Sequence, residues 1–248
     1  MHTMTCLTAD LRETPRAGYL LDSMRAWGSS RPGTTVWLHK RLCTHLVFYK
    51  EHRVLPIENP DWVVINTSAG KDSQAMTDYV VDCADKAGVP RERLVMVHAD
   101  LGDMEWPGTK ELAAEHAAHY GLRFEVVHRV TAAGERQNLL QQVEARGKWP
   151  SSTCRYCTSD HKRGPDGTLL TRLVTESRAT GIRRRVNILN CLGLRADESP
   201  ARAKRQAVSQ DKRSSNGRRL VTVWLPIHGW DEASVWARIE AAGTRAHP

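Results

Sequence analysis

No stretch of the sequence approaches the roughly 18 to 20 consecutive apolar residues that a bilayer crossing requires. Residues 1–15 also lack the basic start and apolar centre of a secretory leader. The expectation is therefore a cytoplasmic protein with no membrane partner. Six cysteines in 248 residues, unevenly spaced, do not form the framework of a secreted disulfide miniprotein, so reduced thiols or a metal site fit better. There is no internal repeat. With 40% hydrophobic and 26% charged residues the composition excludes a disordered or collagenous chain and leaves a folded globular one.

What is present is an uneven charge. The net charge is +8, and the segment from Arg183 to Arg219 alone carries eleven basic residues against three acidic ones, so the remainder is neutral. Such a field attracts phosphates, whether on a nucleotide or along DNA or RNA, although a solvated basic loop accounts for charge alone equally well. Within it, the Arg/Lys/Ser-rich run 201–219 reads as a mobile loop.

Residues 1–60 read as a partly helical N-terminal extension, with Val36 to Tyr49 a candidate helix, and 61–248 as one nucleotide-binding and catalytic domain. From Trp62 the pattern is regular. Trp62-Val63-Val64-Ile65 is a continuous apolar run of the kind buried on both faces of a parallel sheet. A helix with Ala75, Met76, Tyr79, Val80, Cys83 and Ala87 on one side follows it. The same grammar recurs through a strand at 94–97, a helix at 110–120, a strand at 124–127, a helix at 169–179, a strand at 186–194 and a strand at 221–227. Asp231 caps a last helix that Gly243 ends, with Trp230 and Val235 placed as the hydrophobic staple. The expected fold is α/β: a doubly wound, mostly parallel five-stranded sheet with helices on both faces, binding its ligand at the carboxyl ends of the strands.

At the end of the first strand stands Asn66-Thr67-Ser68-Ala69-Gly70-Lys71-Asp72-Ser73. Small residues let backbone amides approach an anion, a helix start favours negative charge, and Lys71 supplies a full counter-charge. An ordinary Ser/Asp helix cap would use similar residues. Neither G-x-x-x-x-G-K-[ST] nor G-x-G-x-x-G occurs. The segment resembles the PP-loop, Ser-Gly-Gly-x-Asp-Ser, of the adenine nucleotide alpha hydrolase superfamily, with Ala69 in place of the first glycine. His98-Ala99-Asp100-Leu101-Gly102 with Glu105-Trp106-Pro107, Gly193 to Ser199 with Arg202, and Leu225-Pro226-Ile227 leading to Trp230 make the sequence similar to the phosphoadenosine phosphosulfate (PAPS) reductase family from about residue 61 onward.

The resemblance implies a HUP-type sheet and an adenine nucleotide, ATP with Mg2+, at the strand ends. Ser68, Ala69, Gly70, Lys71 and Ser73 would hold its phosphates, Asp72 would orient the loop or a Mg2+ ion, and Arg195 and Arg202 would add cations. Asp100 would contact ribose or metal, or simply cap its strand. Lys71, Asp72 and Arg195 are the catalytic candidates. In ATP-cleaving members a substrate oxygen attacks the alpha phosphorus, giving an adenylated substrate and pyrophosphate.

Thr153-Cys154-Arg155-Tyr156-Cys157 adds a C-x-x-C in a basic patch. Two thiols are half of a zinc or iron-sulfur site, which Cys191 and His161 would extend. They equally suit a redox dithiol beside cations, or packed thiols of no chemical role. Cys6, Cys43 and Cys83 read as structural, and His116 and His119 lack the H-E-x-x-H order. Relatives carry further cysteines after a His-Pro segment, where this sequence reaches His247-Pro248, so a longer natural form is implied. The Glu-Cys-Gly with which sulfonucleotide reductases attack sulfate is absent. The expected function is thus ATP-dependent adenylation in sulfur transfer or nucleic-acid modification, with a sulfur-donor protein as partner. The alternatives are a sulfonucleotide reductase releasing sulfite and a non-catalytic nucleotide-binding module.

Overall fold

The computed structural model describes residues 55–151 and 153–247. The candidate helix at 36–49, Cys6 and Cys43 lie outside these. Strands β1 (Trp62–Thr67), β2 (Leu94–Ala99), β3 (Arg123–Val127), β4 (Val186–Cys191), β5 (Val208–Gln210) and β6 (Arg219–Trp224) form one sheet in the order β3-β2-β1-β4-β6-β5. All neighbours are parallel except β5, which pairs antiparallel with β6.

The sheet has six strands where the sequence pattern predicts five. The additional one lies inside the run read as a loop. That run also holds a one-turn helix, α6 (Pro200–Ala203), before β5, so the segment 201–219 is a hairpin arm. Its turn is built by the Asp211 carboxylate, whose Oδ1 accepts the amides of Arg213 (3.0 Å) and Ser214 (3.1 Å).

The remaining helices are α1 (Lys71–Lys86), α2 (Thr109–His119), α3 (Leu139–Arg146), α4 (Tyr156–Thr158), α5 (Gly164–Ala179) and α7 (Glu232–Ala242), with a π-helical turn at Ser159–Arg163 joining α4 to α5. Strand periodicity decides the layers. Val63 and Ile65 face Met76 and Val80 of α1, whereas Val64, with Ile188 and Val221, faces Leu169 and Leu173 of α5. Both faces are therefore covered, which is why these strands read as continuous apolar runs. At the last helix the Asp231 carboxylate accepts the Ser234 amide (2.8 Å), Val235 packs with Trp230, and Gly243 closes the helix at φ 64°.

Candidate functional site: the loop after β1

The chain leaves β1 at Thr67 and enters α1 at Lys71. Two hydroxyls shape the turn between. Thr67 Oγ1 accepts the Ala69 amide (3.0 Å), and Ser73 Oγ accepts the Ser68 amide (3.2 Å) while donating to the Gly70 carbonyl (2.8 Å). Ser73 is thus a staple across the loop, and the exposed Ser68 hydroxyl is the one that faces solvent. Ala69 has φ 55°, the left-handed conformation normally left to glycine, and its methyl is fully buried against Leu112 and Ala113. Gly70 occupies the N-cap of α1 without any side-chain cap, so the first-turn amides of Lys71, Asp72 and Ser73 have no intrahelical acceptor. A sixteen-residue helix aimed with bare amides at the strand ends is a ready anion site.

β4 delivers a second chain segment to this turn. A Cβ on Gly193 would lie 3.1 Å from Asp72 O, Ser73 Cα and Ser73 N, so a glycine is what lets the β4 loop lie against the start of α1. Arg195, 6% exposed, donates from Nε to Asp72 Oδ1 (2.7 Å), and its backbone amide donates to Glu198 Oε2 (2.9 Å). The Lys71 ammonium lies 3.3 Å from the other Asp72 oxygen and 3.6 Å from Glu232. Sequence reasoning brings Lys71, Asp72 and Arg195 together, and so does the fold, but with a division of labour. Arg195 is a strut between the β4 loop and Asp72, and Lys71 is the cation nearer solvent. Arg202, on α6, pairs with Glu198 in the turn before it.

The β2 end supplies a third wall. Asp100 accepts the Gly102 amide (2.7 Å) and a guanidinium N–H of Arg136 (2.6 Å). Burial opposes its charge, but these donors outweigh that and hold its carboxyl below the ordinary range. Beside it His98, 1% exposed, sits 3.2 Å from the Thr67 carbonyl through Nδ1 and 3.0 Å from Glu105 through Nε2. Burial disfavours the imidazolium, yet Glu105 and the Thr67 carbonyl raise its pKa overall. His98, Thr67 and Gly193 stand inside the motifs read from sequence but received no role there. Their signal is positional, since each is the residue at which a strand end meets the loop.

The cysteines are not gathered. Cys154 is exposed and Cys157 half-buried at the start of α4, whereas Cys191 is fully buried in the core with Cys83, where desolvation lifts its thiol far above the ordinary range. His161 is buried with Nε2 2.7 Å from Gln142 Oε1. Among the described residues no three His, Cys, Asp or Glu side chains assemble as a metal site.

A family model for the phosphoadenosine phosphosulfate reductase domain matches residues 62–248. The chain belongs to the PAPS reductase domain family. Its match begins at the first residue of β1 and so takes in the whole sheet. No curated protein matches the sequence. Among solved structures, the U34-tRNA thiolase NcsA of Methanococcus maripaludis with its 4Fe-4S cluster is 16% identical at a TM-score of 0.47, over 81% of this chain and 65% of that one. FMN adenylyltransferase of Candida glabrata in complex with ATP is 12% identical at 0.46, over 89% and 61%. The NH3-dependent NAD synthetase of Campylobacter jejuni is 12% identical at 0.41, over 75% and 66%. This PAPS reductase domain protein therefore spans just under two thirds of the length of each.

Asp72 has both oxygens engaged by Arg195 and Lys71, and Asp100 by Gly102 and Arg136, so neither offers Mg2+ a ready ligand. The described cysteines do not fit a zinc or iron-sulfur site, because Cys154 and Cys157 supply two ligands and Cys191 is sealed in the core. The bare amides and ammonium at the start of α1 do fit a polyphosphate.

Proposed function

We propose that this PAPS reductase domain binds ATP with its polyphosphate on residues 68–73 and adenylates an acceptor, within a pathway that inserts sulfur into nucleic acid and draws the sulfur from a donor protein. In the reaction an acceptor oxygen forms a bond to the alpha phosphorus. The bond from that phosphorus to the bridging oxygen breaks, and pyrophosphate leaves with the electron pair. The observation that supports this reading is the uncapped start of α1, with Lys71 beside it and Arg195 bracing Asp72.

Each residue has one task. The α1 amides and Lys71 neutralise phosphate charge, Ser73 and Thr67 keep the turn closed, and Arg195 holds Asp72 away from the incoming anion. Mg2+ enters only as the counter-ion of the nucleotide's own phosphates, and no step depends on a protein-bound metal. Positioning and charge neutralisation carry most of such a transfer, so Lys71→Ala is expected to lower turnover by about 10²- to 10³-fold. Pyrophosphate release from ATP, alone and with DNA or RNA, tests this. Nucleotide binding without release in every condition would instead make the domain a binding module.

The two reduced thiols favour one rival. Cys157, half-buried with its sulfur 3.9 Å from Thr158 Oγ1, could serve as the nucleophile of a sulfonucleotide reductase. Thioredoxin-dependent sulfite release from PAPS that disappears in Cys157→Ser would establish it.

A further inference from the structure

A cavity of about 1170 Å³ opens between the first turns of α5 and the β5–β6 hairpin, on the opposite side of β4 from β1. Its lining includes Arg163, Arg205, Lys212 and Arg213, together with Asp166 and, from β4, Asn190. Three observations about it point the same way.

The first is how the basic segment divides. Arg184 is spent on Asp61, Arg195 on Asp72, Arg202 on Glu198, and Arg219 on Thr171 Oγ1 and the Ser214 carbonyl. Arg205, Lys212 and Arg213 are exposed and have no ion-pair partner among the described residues, and Arg163 approaches them from the far wall. Three of the segment's cations without a carboxylate partner therefore line this one opening together with Arg163, whereas Arg183, Arg185, Lys204 and Arg218 lie outside its lining. The second is Asp166. Its Oδ1 is buried with no hydrogen-bond partner, and burial lifts its carboxyl to about 7 against the pull of Lys162. An orphaned acceptor among cations calls for a ligand that brings a donor group as well as anions. The third is continuity with the nucleotide loop. Asn190 accepts a hydrogen bond from Asn66 (2.6 Å), two residues before Ser68, so cavity and loop share a wall at the strand ends.

We propose that this cavity is the acceptor channel, and that its ligand is single-stranded nucleic acid. The phosphates lie along Arg163, Arg205, Lys212 and Arg213, and a sugar hydroxyl or base amine donates to Asp166. The volume exceeds the roughly 300–1,000 Å³ of small-molecule pockets. A duplex would keep its base edges stacked away from a buried carboxyl, whereas an unstacked strand can present them. This assignment rests on the adenylation reading only for the direction of transfer, from the loop beyond β1 toward β4.

The test is fluorescence anisotropy on the full chain with labelled 20-nucleotide single-stranded DNA and RNA and the matching duplex, across a salt series. Calorimetry with ATP runs in parallel. The triple variant Arg205→Ala, Lys212→Ala, Arg213→Ala should weaken single-strand binding at least tenfold and flatten the log–log salt slope by about 2, since each phosphate left without its cation lowers that slope by about 0.7. Its ATP binding should stay within twofold of the parent. Asp166→Ala should weaken binding three- to tenfold although it removes a negative charge. Unchanged affinity in the triple variant, tighter binding in Asp166→Ala, or preference for the duplex each overturns the channel. Loss of ATP binding in the parent with strand binding intact would overturn the nucleotide reading instead.

Discussion

At Ala69 a single methyl carries two opposing effects. A left-handed backbone costs a residue with a Cβ about 1–2 kcal/mol, while burying that methyl returns about 0.8 kcal/mol and the alternative, glycine, adds its own loss of chain entropy. These nearly cancel, so Ala69→Gly should leave the unfolding free energy from urea titration within about 1 kcal/mol of the parent. Ala69→Val adds a branched side chain where φ is 55° and where Leu112 and Ala113 leave no room, and overpacking alone costs about 1–3 kcal/mol. The substitution of the family's first glycine was legible in the sequence, but its compensation was not, because Leu112 and Ala113 lie more than forty residues away. His98 works by charge. Its folded pKa stands above the ordinary 6.5, so the stability it contributes is complete below pH 6.5 and is lost as pH rises through the folded value. Chemical denaturation from pH 5.5 to 8.5 should therefore show the parent losing stability relative to His98→Gln as pH rises. A parallel pair of curves would mean that the ring stays neutral between Thr67 and Glu105.

Where two elements meet, backbone contact is less forgiving than side-chain contact. A methyl on Gly193 would press on three backbone atoms of α1's first turn at 3.1 Å, and none can rotate away. Gly193→Ala should cost about 1–3 kcal/mol in thermal or urea unfolding. It should also weaken ATP binding in calorimetry, because the displaced turn carries the anion-facing amides. Equal affinity with lowered stability would confine Gly193 to packing. β1 and β2 were readable because burial on both faces turns them into continuous apolar runs, and α1 and α7 because their apolar stripes and end signals agree. β5 was not, since three residues, Val208-Ser209-Gln210, exposed or half-exposed at a sheet edge, carry no apolar alternation. The start of α5 was hidden for a different reason. Gly164-Pro165-Asp166-Gly167 reads as a turn, yet proline is tolerated in a first helical turn that needs no amide there, and the π-helical turn before it feeds straight in. That disguise also concealed Asp166, whose carboxyl lines the cavity beside the β5–β6 hairpin.

Over the whole molecule, the strand order explains why residues more than a hundred positions apart share one site. The chain moves from β1 outward to β3 on one side and then returns to β4 on the other, so the crevice between β1 and β4 is the point where the winding reverses. Loops diverge there and leave room for a ligand. Ser68 to Ser73 and Gly193 to Arg195 were therefore placeable together from sequence, whereas the closing segment was not. After Gly243 the chain runs back along α2. Gln74 Nε2, in the first turns of α1, donates to Thr244 Oγ1 (2.6 Å) and to the carbonyls of Thr244 and Arg245 (each 3.2 Å). His116 Nε2 donates to the Arg245 carbonyl (2.7 Å), and the Arg245 guanidinium reaches Glu115 (2.6 Å). The segment thereby clamps the helix that bears the loop to the helix that packs on Ala69. Removing the Gln74 amide takes its hydrogen bonds from the half-buried Thr244, each worth about 0.5–1.5 kcal/mol net, while the Arg245 carbonyl keeps His116. Gln74→Ala should then open residues 244–247 at least about tenfold more often in hydrogen exchange, at 1.4 kcal/mol per factor of ten, while β1 and β4 keep their protection. Uniform acceleration across the sheet would make Gln74 a determinant of global stability, and no acceleration at all would show that His116 and Glu115 hold the segment without it.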